Sequence, residues 1–252
     1  MPYPTARTRL TVGTVIGELM LTAGVLLLLF AFYESYWTNI KSGQIQDQAN
    51  KTLQEEWHNP REGGHAPKLG EAFARLYIPA FGSDFAFAVL EGTNEDDLLR
   101  GPGRYTDTQM PGEPGNFAVA GHRVGKGAPF NDLGNLQTCD AIVIETATEW
   151  ITYRVLPIDG APGECFSLEQ QAKPEYQQVQ GRHITLPGDV SVLQPIPGAE
   201  GVEPTESLLT LTTCHPQFSN AERMIIHAME TDREAKTLGS DENDRPAVLE
   251  EN

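Results

Sequence analysis

Residues 207–230, SLLTLTTCHPQFSNAERMIIHAME, leave the chain little freedom in how it folds. Leu208, Leu209 and Leu211 interleave with Thr210, Thr212 and Thr213, residue types that a pleated surface accepts. Pro216 has no backbone N–H and restricts the residue before it, so a strand cannot run through Cys214-His215-Pro216. A short polar segment, Gln217 to Glu222, leads into a second strand-like run, Arg223 to Met229, with Ile225, Ile226 and His227 in its middle. If the two strands pair across that loop, the Cys214 thiol at the end of one lies beside the Arg223 guanidinium at the start of the other.

A thiolate is a strong nucleophile, and a positive neighbour lowers the pKa of its thiol. A guanidinium stays charged, so it serves as an oxyanion or carbonyl donor and not as a base. The missing part is a proton shuttle. His122, in GNFAVAGHRVGKGAPF, follows an apolar strand from Phe117 to Ala120 and is the best candidate among the six histidines. His58 and His65 fall in a polar tether, His183 in a polar loop, and His227 inside the last strand as a structural residue. His215 adjoins Cys214, but neighbours on an extended chain point to opposite faces. Arg123 competes with Arg223 as the oxyanion donor, and the position of Arg223 across a short loop from Cys214 favours the latter. A zinc site built from Cys214, His215 and His122 lacks CxxC, HxxxH or HExxH spacing. Neither a Gly-rich phosphate loop nor GxSxG is present. No metal or cofactor is expected.

Thr210-Leu211-Thr212-Thr213-Cys214 matches the TLxTC signature of sortases, with Arg223 a short loop later and Ala120-Gly121-His122 upstream. With the His-Pro after the cysteine and the AGHR…PF stretch, the chain resembles class E sortases of high-GC Gram-positive bacteria over about residues 71–230. The resemblance implies an eight-stranded β-barrel with short connecting helices, where the many short strands alone leave barrel and sandwich both open. It also implies a cysteine transpeptidase acting on exported proteins that carry an LAxTG- or LPxTG-like C-terminal sorting signal. Cys214 would attack the Thr–Gly bond, His122 would move the proton and Arg223 would hold the oxyanion; an amine of a lipid II type peptidoglycan precursor would resolve the thioacyl enzyme. In the family the position of Thr213 borders the substrate groove, and Tyr105, in Gly-Pro-Gly-Arg-Tyr, stands where a tyrosine contacts the sorting motif. Cys139 before Asp140 departs from the glycine of many relatives and puts the local turn in question. The alternatives are a pilus-assembling sortase using a pilin lysine, against which the acidic C-terminus counts, and an inactive anchored barrel serving as an assembly factor, which should have lost Cys214, His122 or Arg223. An L,D-transpeptidase should show an SxGC-type motif, which is absent.

Ahead of this domain, residues 1–9 carry Arg7 and Arg9, and residues 10–33 are predominantly apolar, with Glu18 the one acid. Roughly 24 residues at ~1.5 Å each cross a bilayer core of ~30 Å. Tyr33, Tyr36 and Trp37 fit an aromatic belt, and the preceding positive charge places the N-terminus in the cytoplasm with the catalytic domain outside the cell membrane. A cleaved signal peptide competes with this reading, but the run is long for one and no clear cleavage site follows. Residues 34–70 read as a juxtamembrane linker, with a helix over Lys41–Trp57, and residues 231–252 as an acidic disordered tail. A net charge of −17 with no basic face excludes nucleic acid as a partner. Of the three cysteines, Cys214 is read as free; Cys139 and Cys165 are either bonded to each other or two reduced small residues.

Overall fold

Alternation along a strand decides which packed cluster each side chain joins. In the strand Ser207–His215, Leu209 and Leu211 join the main core, while Leu208 faces a second cluster on the other side. The computed structural model, which describes residues 11–33, 38–58, 66–125, 127–161, 163–236 and 245–251, shows that the surface carrying this pattern is a closed barrel. Its strands are β1 (Ala72–Tyr77), β2 (Ala86–Glu91), β3 (Gly103–Arg104), β4 (Gly115–Ala120), β5 (Ala141–Glu145), β6 (Glu149–Val155), β7 (Arg182–Thr185), β8 (Ser207–His215) and β9 (Glu222–Ala235). The ring runs β6-β5-β1-β2-β3-β4-β8-β9 and closes through β9 onto β6, so eight strands form the barrel and β7 is attached outside it.

The length of β9 makes closure possible. Arg223–Ile226 pair with β7, and Ala228–Ala235 pair with β6. The apolar pattern ends near Met229 and the acidic composition after residue 230 predicts a disordered tail; among the described residues the strand instead continues to Ala235. Ladder hydrogen bonds join backbones whatever the side chains, so Glu230-Thr231-Asp232-Arg233-Glu234 continues the strand with its charges outward. Further on, Leu249 is buried against Tyr77, Val143 and Trp150, and Glu251 pairs with Arg154 at 2.6 Å.

Other local readings also change. Val190–Leu193, whose two valines and leucine predict a short strand, is a 3₁₀ turn, because the Asp189 carboxylate takes the Ser191 backbone N–H. The segment from Pro195 to Glu206, whose prolines and glycines predict a mobile loop, contains the fully buried Ile196. His183 lies in β7 and not in a loop.

Two helices precede the barrel. α1 (Val12–Phe32) is long and apolar enough to cross a membrane and has no residue buried in the molecule. Tyr36 and Trp37, read as belt residues, lie outside the described residues, as do Arg7 and Arg9. α2 (Thr38–Trp57) lies on the barrel and is more than a linker. It buries Leu53 and Ala49, and Gln46 accepts the Ala88 N–H at 2.8 Å and donates to the Arg100 carbonyl. At its far end Trp57 sits under Lys236, 4.1 Å from ring centre to Nζ.

Cys139 and Cys165 are bonded, tying the turn before β5 to the long β6–β8 connection. Cys139 has φ +70°, the left-handed region that favours glycine, so the substitution noted in the sequence falls on a turn that imposes this conformation.

Candidate active site

β4 and β8 run parallel, with Ala120 opposite Thr212. Both chains leave that pair in the same direction, and two residues on come His122 and Cys214. β9 returns antiparallel to β8 with Arg223 directly opposite Cys214. Directly opposed residues share a sheet face, with Cβ atoms about 4.5–5.5 Å apart. The three residues singled out in the sequence therefore reach the same end of the barrel on three adjacent strands. Each is partly exposed, which a group that meets a substrate requires.

The histidine segment is held by packing that its sequence explains. Phe130 is fully buried, and a Cβ on Gly121 would come within 2.5 Å of its ring. Only glycine fits beside that ring, so Gly121 and Phe130, at the two ends of AGHR…PF, form one packing unit. The Phe130 N–H donates to the His122 carbonyl at 3.0 Å and closes the loop. From the other side, the Gly121 N–H donates to the Thr212 carbonyl at 3.1 Å. Thr213 completes the tie: its hydroxyl donates to the Gly121 carbonyl at 2.8 Å.

Thr213 is consequently buried, 2% exposed, on the strand face opposite Cys214. Its side chain holds the His122 segment. The side chain on the Cys214 face is Thr212, two residues back. Tyr105 reaches it, with 3.0 Å between the two hydroxyl oxygens, so Tyr105 is placed one pleat from the thiol.

The rival arginine has its own task. Arg123 Nη1 donates to the Cys214 carbonyl at 3.2 Å and to His215 Nδ1 at 2.8 Å. A guanidinium only donates, so Nδ1 of His215 is the ring nitrogen without a proton. Arg123 thus clamps the backbone at Cys214 from the loop that carries His122. Sequence reasoning weighed it only as an oxyanion donor; its adjacency to His122 and the histidine after Cys214 were the available signals. Arg223 Nη1 donates to the carbonyls of Glu222 and Asn220, at 2.9 and 3.3 Å, which fixes the base of its fork and leaves other N–H groups for a ligand.

Below the thiol, the outer face of β8 carries a buried polar chain. Asn116 donates from Nδ2 to the carbonyls of Val192 and Gln194, each at 3.0 Å, and Thr210 donates to Asn116 Oδ1 at 2.7 Å. The Thr210 hydroxyl proton is then committed, so His227 Nδ1, 2.8 Å away, is the donor to it. Burial, with a smaller contribution from nearby His183, pushes His227 down to about 3, so the ring is neutral. The chain fastens the connection over Val190–Gln194 to the strands that carry the site. A separate cavity of about 490 Å³, lined by Leu156, Phe166, Tyr176, Val179 and Met229 among others, opens under the β6–β7 connection and does not include Cys214, His122 or Arg223.

A sortase-domain profile matches residues 76–231. The chain belongs to the sortase family. Members of the family are cysteine transpeptidases. Sortase SrtE1 of Streptomyces coelicolor is 32% identical over 231 residues, covering 89% of this chain and 58% of that protein, so the chain spans little more than half the length of that curated relative. Among solved structures, the SrtF sortase of Corynebacterium diphtheriae is 56% identical with a TM-score of 0.70, covering 77% of this chain and 98% of that one. Sortase E1 of Streptomyces coelicolor with a tripeptide in its active site is 28% identical with a TM-score of 0.55, covering 73% and 99%. Class E sortases are thus among its relatives, as the motifs imply, and the barrel is the sortase fold.

Proposed function

We propose that the chain is a membrane-anchored sortase of the outer cell surface that cuts a C-terminal LAxTG- or LPxTG-like sorting signal between Thr and Gly and transfers the exported protein to a cell-wall amine. The observation that carries this reading is the register of Cys214 against Arg223, with His122 at the end of the parallel β4–β8 pair. The Cys214 thiolate attacks the threonine carbonyl, and negative charge gathers on its oxygen. Arg223 donates to that oxyanion. The C–N bond breaks as His122, protonated, gives its proton to the leaving glycine amine. The product is a thioacyl enzyme at Cys214. The acceptor amine then attacks the thioester, His122 takes up its proton, and the C–S bond breaks to return the thiolate. The acceptor is an amine of a lipid II type precursor, and α1 keeps the enzyme on the membrane, with its N-terminus inside and the barrel outside. The tripeptide in the active site of the Streptomyces coelicolor sortase E1 structure supports a peptide ligand here.

The test uses the full chain in detergent micelles with LAxTG and LPxTG peptides, with and without an amine, the products being read by mass spectrometry. Cleavage between Thr and Gly is expected, with an amide product when the amine is present. Cys214→Ala and His122→Ala should abolish it, and Arg223→Ala should lower kcat by about 10²–10³-fold. An intact peptide under all these conditions would overturn the reading.

A further inference from the structure

The end of the barrel that carries the candidate site also carries bare apolar side chains. Phe218, in the β8–β9 loop, is 84% exposed. Leu186 and Val190, 67% and 70% exposed, flank a turn that Thr185 closes onto Asp189, and Thr185 lies opposite Arg223 in the sheet. Val124, two residues after His122, is exposed as well. Singly, such residues are ordinary on a protein surface. Together they occupy the loops beside His122, Cys214 and Arg223.

The membrane-proximal end of α2 meets this same rim. Ser42, about one turn into α2, lies where a Cβ on Gly127 would touch it at 3.3 Å, so α2 begins beside the loop that follows His122. That loop is bonded in turn to the loop carrying Phe218, through Gln217 Nε2 to Asn131 Oδ1 at 2.7 Å. From Tyr33 to Thr38 are five peptide steps, a reach of at most about 18 Å. The end of α1 is therefore held within roughly 25 Å of the His122 loop, once one helical turn of about 6 Å is added.

We infer that this rim is a membrane-contact surface: Phe218, Leu186, Val190 and Val124 enter the interface of the bilayer that holds α1, so that the site opens toward the lipid surface. The inference rests on the proposed anchoring by α1. The contact is apolar in kind, because a chain of net charge −17 gains nothing from an anionic headgroup layer, and it should survive high salt. It brings the thiol to the depth at which an amine on a lipid carrier is presented.

The experiment uses the full chain, reconstituted in phosphatidylcholine vesicles with brominated acyl chains. Phe218→Trp and, separately, Leu186→Trp are compared with Val202→Trp, which precedes the opposite end of β8. The readout is tryptophan emission above that of the parent protein. Blue-shifted emission quenched by bromine at 218 and 186 but not at 202, unchanged by salt, is the expected result. Equal quenching at all three positions, or none at 218 and 186, would overturn the inference. So would emission at 218 that responds to a sorting peptide and not to lipid, which would make the rim a peptide surface. The measurement needs no catalysis: a protein that shows the quenching pattern but cuts no peptide retains the rim and loses the enzymatic reading.

Discussion

Cys214 is one of three cysteines, and what separates it from the other two is its backbone position. Cys139 and Cys165 close a disulfide, whereas Cys214 is free, partly exposed and opposite a guanidinium. Arg123 supplies the hold on that position. Arg123→Ala should remove the donor to the Cys214 carbonyl and lower kcat more than it raises KM, since the group holds the backbone of the proposed nucleophile and not the peptide. Arg123→Lys should restore part of the loss, because an ammonium still donates but lacks the fork. Steady-state kinetics on the two variants check this, and an effect confined to KM would contradict the clamp. His227 gives a prediction in pH. Its folded value is about 3, below the ~6.5 of a free histidine, so between these the unfolded chain binds the additional proton. Its contribution to stability is complete above pH ~6.5 and is lost as the pH falls toward ~3, by up to about 1.4 kcal/mol per pH unit. Denaturant melts between pH 7 and 4 should show a shallower decline for His227→Gln than for the parent. At this scale the sequence was readable wherever a residue has few tolerated replacements. Cys214, His122 and Arg223 stood out, and the unusual Cys139 turned out to lie in a left-handed turn. The bond from Thr213 to the Gly121 carbonyl was not legible, because it depends on pairing with a strand about ninety residues away.

Among the elements, the strands with apolar alternation were legible and the polar ones were not. β1, β2, β4 and the β5–β6 hairpin fall on the runs Phe73–Pro79, Phe85–Leu90, Asn116–His122, Ala141–Thr146 and Glu149–Leu156, each of which reads as a strand from its residues. β3 is two residues long and offers no period to detect. The second half of β9 is charged, and its membership of the barrel comes from a partner strand far away in sequence. α2 shows the same limit. Its mostly polar sequence hides a narrow contact stripe of Ser42, Gln46, Ala49 and Leu53. That stripe predicts a measurable cost: Leu53→Ala, at 1% exposure, should destabilise the protein by about 2–5 kcal/mol in urea melts. A loss below about 0.5 kcal/mol would mean that α2 is dispensable to the barrel, as a simple linker is.

The molecule as a whole is a closed sheet whose parallel β4–β8 pair and antiparallel β8–β9 pair finish at one end. Strand period alone did not distinguish barrel from sandwich; the TLxTC resemblance did, because closure depends on long-range pairing that no local pattern encodes. The same topology assembles the candidate site: three residues separated by up to about a hundred positions reach one end of the barrel because β8 pairs with both β4 and β9. The central claim is that Cys214 carries the acyl group of the sorting peptide. It is tested most directly by mixing the full chain with excess LAxTG peptide in the absence of an amine, quenching in acid and measuring the intact mass. A mass increase equal to the peptide truncated after Thr, mapped to Cys214, reversed by adding an amine and absent in Cys214→Ala, is the predicted result. Peptide cleavage without such an adduct, or an adduct that persists in Cys214→Ala, would contradict it.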